Sequence, residues 1–223
     1  MPMRQDPELS FETRLTIGRS SPARAVALVG GWAALLTAAS ILLFDVAVAL
    51  GVSGFGVGKL PVAAALLIAP SYLAFASALH RDLPEGDRIW SQMALAFAVV
   101  YAAIVGINYA LQLTVVPINP EAFQGWTQEL RPDSAFWALE IAGYAFMGLS
   151  ALALVPALSG TGLERAAGWL FVVNGIGSLI GGAAYLITMD PAHWLGLTSL
   201  AVWGAAFPVA TALIGWQWFR RLA

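Results

Sequence analysis

The sequence predicts an all-α, polytopic membrane protein built as a transmembrane six-helix bundle, and three observations predict it. Hydrophobic residues make up 59% of the 223-residue chain and charged residues only 11%, against about 25% charged in an average soluble protein. Six runs of the chain reach the roughly 20 apolar residues that a span requires. Those runs use nearly all of the sequence and leave no room for a separate soluble domain.

The expected organisation is a polar cytoplasmic tail over 1–24 and a transmembrane domain over 25–223, with spans at about 25–49, 61–79, 90–116, 134–158, 166–189 and 194–218. The tail lacks a sustained periodic pattern and is expected to be mobile or to lie along the membrane surface. The first span ends on Ala47-Val48-Ala49, which resembles a signal-peptide cleavage site. Its apolar run is longer than a signal core of about 7–15 residues, and the tail mixes in Asp6, Glu8 and Glu12, so it reads as a helix.

The loop that follows, 51–59, is rich in glycine and ends in Gly58-Lys59. A phosphate-binding loop needs a further glycine where Ser53 stands and a hydroxyl where Leu60 stands, so a connector is the reading. The second span contains Pro70 and the sixth Pro208; each removes a helical hydrogen bond and can kink its helix. Gly31-Trp32 with Gly168-Trp169, and Pro70 with Pro208, share offsets of 137 and 138 residues, an internal similarity too slight to argue a repeat.

The third span carries Tyr101, Asn108 and Gln112 at intervals of seven and four, on one helical face. Beyond it, Asn119-Pro120 forms a cap-then-proline start, and Phe123, Trp126 and Leu130 recur at helical spacing. This predicts an amphipathic segment at the membrane surface, as an anchor first and a lid over a pocket second.

The fourth span holds Glu140, with Trp137 a turn before it and Tyr144 a turn after. The fifth carries Asn174, Ser178, Gly181 and Tyr185 on one face, and Gly177 with Gly181 forms a GxxxG pair that permits close helix approach. Asp190-Pro191 is expected to cap the sixth span.

Orientation follows from Lys and Arg, which short cytoplasmic loops retain. With both termini cytoplasmic, nine of the eleven basic residues fall on one side, and only Lys59 and Arg131 fall on the other. The chain is therefore placed as multi-pass in the cell (cytoplasmic) membrane. Most of the nine tryptophans, Trp216 and Trp218 among them, sit where interfacial belts belong; Trp32 and Trp203 lie deeper.

Composition also excludes. With no cysteine, disulfides, thiolate metal sites and thiol chemistry are absent. His80 and His193 are the two histidines and fall at opposite membrane faces. No metal and no cofactor is expected. A net charge of -2 without a basic cluster gives no nucleic-acid signal.

Glu140 is the leading functional candidate, because an ionisable group in a lipid-spanning helix costs about 2.5 kcal/mol or more and is retained for a reason. It lies roughly 9 Å below the start of its helix. Asn108 and Gln112 occupy the same outer level of the neighbouring span. Asn108, Gln112, Glu140 and Tyr144 are expected to cluster, with Tyr101 and Asn174 extending the ligand-binding set. The alternative for the polar face of the fifth span is a packing seam. Asp45 is expected to be water-exposed, with joining the cluster as its alternative.

The strings Ile89-Trp90-Ser91, 107–116, Phe136-Trp137-Ala138-Leu139-Glu140 and 143–148 resemble an uncharacterised family of bacterial and archaeal six-helix multi-pass membrane proteins with no known activity. The resemblance runs from the second span to the sixth. It implies architecture rather than function, and it places Asn108, Gln112, Glu140 and Tyr144 in the most distinctive strings.

Three functions are open. The first is binding or transport of a small amphiphilic or cationic molecule in an outward-half pocket centred on Glu140. The second is an intramembrane enzyme acting on a lipid-soluble substrate such as an isoprenoid, with Glu140 as general acid. The third is a structural or assembly subunit in which Glu140 only closes a hydrogen-bond network. The lipid bilayer is the expected partner, and oligomeric state is not legible. What fills the space beside Glu140 discriminates among the three.

Overall fold

The computed structural model describes residues 7–50, 59–123, 134–158, 160, 162–190 and 192–222, with side chains from residue 23 onward. Its six long helices are α1 (Pro7–Ala49), α2 (Lys59–Asp82), α3 (Arg88–Thr114), α4 (Ala135–Leu154), α5 (Leu163–Thr188) and α6 (Trp194–Leu222). Short 3-10 turns stand at Glu85–Asp87, Glu121–Phe123 and Val155–Ala157. All six helices are long and apolar enough to cross a membrane, and the chain is a multi-pass membrane protein of the lipid bilayer.

The helices pack as a ring. Each contacts its neighbours in the chain, and α6 returns to α1. The ring's outer surface exposes Leu42, Val99, Ile107, Ile180, Leu186 and Val209, a surface that lipid accepts and water opposes. Both ends of the six-helix run lie at one end of the ring, called the terminal end below. The residues after α5, Met189 and Asp190, and the start of the α3–α4 connection over 115–123 lie at the other, the pocket end.

The expected spans all appear, and several reach further than the apolar runs. Helix α6 continues to Leu222, where Gln217 bonds Glu164 of the neighbouring α5 and Trp218 and Arg221 bond Asp82 of α2 across the ring, contacts that hydropathy does not register. Helix α1 begins at Pro7, so the described part of the polar tail is helical and continuous with the first span. The proposed amphipathic segment starts as the 3-10 turn Glu121–Phe123; its remainder, and the glycine loop over 51–58, lie outside the described residues.

The ring is filled by aromatic residues. Tyr72, Phe75, Tyr101, Phe171, Phe207 and Trp218 are buried on its axis side. Trp218 is the correction here. Expected in an interfacial belt, it is 2% exposed, whereas Trp216 is 59% exposed. It continues the buried α6 stripe of Trp203, Phe207, Ala210 and Ile214, and Gly30 of α1 leaves room for its ring, since a Cβ there would collide with the indole.

Polar side chains inside the ring are tied to particular neighbours. The Thr37 hydroxyl donates to Ser71 at 3.0 Å, joining α1 to α2. Ser150 donates to the Ala94 carbonyl at 2.7 Å and shares a 2.7 Å hydrogen bond with Tyr72, which joins α2, α3 and α4. Each mid-span proline is followed by a hydroxyl that bonds nearby carbonyls: Ser71 after Pro70, and Thr211 after Pro208. These are the back-bonds to the preceding turn that Ser and Thr commonly make inside helices.

Glycines set the closest helix approaches. Gly181 of the GxxxG pair meets Ser199 and Gly196 of α6. Between α4 and α5 the contact is Gly148 against Gly175, where a Cβ on Gly175 would stand 2.8 Å from the Gly148 carbonyl oxygen. Backbone cannot step aside there, so Gly175→Ala should lower stability by about 1–3 kcal/mol through overpacking. Gly106 has nothing within 4 Å of its added Cβ, and Gly106→Ala should be neutral or stabilising by up to ~1 kcal/mol. Thermal unfolding of the two variants in one detergent checks the opposite signs.

Candidate functional site

Helix α4 starts on a side-chain cap: Ser134 accepts the Trp137 backbone N–H at 3.2 Å. From that start, Trp137, Glu140, Ile141 and Tyr144 fall at helical spacing on the face turned to α5 and α6. They form one wall of a cavity at the pocket end. Ser178, Gly181, Gly182 and Tyr185 of α5 form the second wall, and Gly196, Ser199, Leu200 and Trp203 of α6 the third. The space is about 630 Å³ when the open region at its mouth is counted.

Close packing of small residues makes the cavity possible. Gly181 brings α5 against α6 at Ser199, while Gly182 and Gly196 present no side chain to the space. Trp203 and Tyr144 form the floor, edge to face with centroids 4.6 Å apart. Trp203 is held by an N–H bond to the Met147 sulfur at 3.2 Å.

Glu140 is fixed from behind. Tyr109 of α3 donates its hydroxyl to Glu140 Oε1 at 2.7 Å and lies 3.3 Å from the Tyr144 hydroxyl. Asp190 lines the mouth and is the second carboxylate of the lining. No basic side chain lines the cavity among the described residues. Four aromatic side chains, Trp137, Tyr144, Tyr185 and Trp203, share the lining with these two carboxylates.

The residues proposed from sequence separate into three groups. Glu140 and Tyr144 line the cavity together. Asn108 and Gln112 do not line it: Gln112 donates to the Asn108 side-chain oxygen at 3.3 Å, and Asn108 donates to the Phe136 carbonyl at 3.2 Å, so they bind α3 to the first turn of α4. Tyr101 and Asn174 lie beneath. The Tyr101 ring is 6.1 Å from Tyr144, and its buried hydroxyl has no partner among the described residues. Asn174 is fully buried one helical turn below Ser178, and neither of its amide atoms is paired among the described residues.

Asp45 is half-buried, its carboxylate against Gly204 of α6, where a Cβ would stand 2.6 Å from Oδ2. Trp203, next in the chain to Gly204, packs on Phe44 of α1 as well as on Tyr144. It therefore stands between the helices that carry Asp45 and Glu140. Asp190 does not cap α6. It accepts the Ala192 N–H at 2.9 Å in the turn before the helix, and His193 Nδ1 accepts the Leu195 N–H at 3.3 Å. The turn consumes the carboxylate's local capping capacity three residues early.

Sequence reasoning missed Tyr109, Trp137 as a wall residue, and the α6 residues Ser199 and Trp203. The signal for Tyr109 was present, since it stands four residues after Val105 and eight after Tyr101 on the buried face of α3. No group of three or more His, Cys, Asp or Glu side chains that could hold a metal ion occurs among the described residues. No family model, no curated protein and no solved structure matches this chain.

Proposed function

We propose that the cavity binds a small organic cation carrying apolar groups, such as a quaternary or protonated tertiary amine. The observation that carries this reading is the composition of the lining: a glutamate held by a tyrosine within a wall of four aromatic rings, a second carboxylate at the mouth, and no basic side chain among the described residues. Aromatic faces attract cations by about 0.5–2 kcal/mol each, more where water is excluded. A carboxylate adds charge and orientation, and the intervening Ile141 and Leu200 accept alkyl groups. An open space beside Glu140 favours a ligand-bearing role over a packed assembly subunit.

The positive-inside bias extends the proposal to orientation. It puts the terminal end in the cytoplasm and opens the cavity to the outside of the cell membrane. The resemblance to six-helix bacterial and archaeal membrane proteins fits that architecture.

Calorimetric titration of the full chain in detergent tests the reading. Tetraethylammonium should bind, and 3-ethyl-3-pentanol, of similar size without charge, should bind at least about tenfold more weakly, a difference of ~1.4 kcal/mol. Equal affinity for the two would remove the charge from the recognition and sink the proposal.

A further inference from the structure

Below the cavity floor the aromatic residues continue as packed, buried core. From Tyr144 the rings continue along the axis: Tyr144 to Tyr101 at 6.1 Å, Tyr101 to Tyr72 at 6.0 Å, Tyr72 to Phe75 at 6.0 Å and Phe75 to Trp218 at 5.8 Å. The Trp218 N–H then donates to Asp82 Oδ2 at 2.8 Å. An unbroken column of rings thus joins the helix turn that carries Glu140 to a second carboxylate at the terminal end.

That end repeats the chemistry of the cavity with a resident cation. Arg221 donates Nη1 to Asp82 at 2.8 Å and Nη2 to Glu164 at 3.1 Å. A guanidinium therefore sits between two carboxylates, one of which also holds an indole. Helices α2 and α6 are not neighbours in the ring, since α1 lies between them. The bonds of Asp82 to Trp218 and Arg221 accordingly span the mouth of the ring and close it.

Every closing group on these two helices follows a proline. Tyr72, Phe75 and Asp82 come after Pro70 in α2, and Trp218 and Arg221 come after Pro208 in α6. A proline removes one backbone hydrogen bond and loosens the helix locally. The halves of α2 and α6 that carry these groups meet the pocket-end halves at those prolines.

We propose that the ring axis is a transport path for the organic cation, occluded in this structure by the packed column from Tyr101 to Trp218, with the post-proline halves of α2 and α6, pivoting at Pro70 and Pro208, as its gate and Asp82, Trp218 and Arg221 as its latch. An arriving cation competes with Arg221 for Asp82 and Glu164 and so releases the latch. This inference rests on the cavity's being a cation site, and its test separates the two.

The full chain is reconstituted into vesicles with radiolabelled tetraethylammonium as probe. Because the sequence has no cysteine, Ala210→Cys provides a single thiol at a buried α6 position between Trp203 and Trp218. Uptake should exceed that of protein-free vesicles severalfold. Arg221→Gln in the Ala210→Cys background should raise labelling by a membrane-impermeant cationic thiol reagent severalfold, with calorimetric binding of tetraethylammonium unchanged. Arg221→Lys, which keeps a cation between the carboxylates, should restore protection, an outcome that a merely misfolded Arg221→Gln would not give. Binding without uptake above protein-free vesicles, together with equal labelling in all three backgrounds, overturns the gate and leaves the cavity reading standing. Absence of binding overturns the cavity reading and the path with it.

Discussion

Glu140→Gln should weaken tetraethylammonium binding by about tenfold to a hundredfold while leaving the fold intact. Gln keeps an oxygen in the place where Tyr109 donates, so the contact between α3 and α4 persists and only the charge is lost. An interaction with a charged group is worth roughly 1.5–3 kcal/mol, and each 1.4 kcal/mol is about a factor of ten in affinity. The aromatic faces of Trp137, Tyr144, Tyr185 and Trp203 remain and retain part of the attraction. Titration of the variant beside the parent protein, with unfolding temperature as the check on folding, reads the effect. An unchanged dissociation constant would show that the glutamate serves packing and not recognition.

Trp218→Ala should destabilise the protein by about 3–5 kcal/mol, the usual cost of removing a buried large aromatic side chain. Trp216→Ala, two residues earlier, should change stability by under ~0.5 kcal/mol, because its indole is exposed on the outer surface. The difference arises from what each ring touches. Trp218 packs edge to face on Phe75 with centroids 5.8 Å apart, fills the space left by Gly30 and donates to Asp82. Trp218→Phe should fall between the two, keeping much of the contact with Phe75 while losing the hydrogen bond. In lipid, where no hydrophobic force drives one helix onto another, such packing and hydrogen bonding carry the association. Thermal unfolding of the three variants checks the order. If both tryptophans behaved as belt residues, the alanine variants would be equally mild.

The same pair of tryptophans shows how far the sequence was legible. Hydropathy locates both near the end of the last span and assigns both to a belt, because a belt is defined by depth. Depth is a one-dimensional quantity that a chain position supplies. Direction around the helix is decided by which neighbour is close enough to receive the ring, and the neighbour that receives Trp218 is Gly30, 188 positions away in the sequence.

Glu140 shows the same division. Its presence inside a span marks it, and helical spacing places Tyr144 one turn away, on the same cavity wall. Asn108 and Gln112 were assigned to it because they share its depth. They are taken up instead by each other and by the Phe136 carbonyl, and the phenol of Tyr109 reaches the carboxylate. A one-residue change along α3 turns a side chain by about 100°, so depth alone could not choose between Asn108 and Tyr109.

By itself the sequence determined the solvent of this protein, the number and approximate limits of its spans, and the presence of one costly carboxylate among aromatic residues. Those properties follow from composition and local periodicity, which each segment carries independently of the others. Only the tertiary structure decided that the spans close into a ring, that three of them leave a cavity beside Glu140, and that aromatic rings link that level to Asp82 at the opposite end. Such features depend on which helix faces which. In a bilayer that choice rests on small-residue contacts such as Gly148 with Gly175 and Gly181 with Ser199, and these become visible only when the partners are seen together.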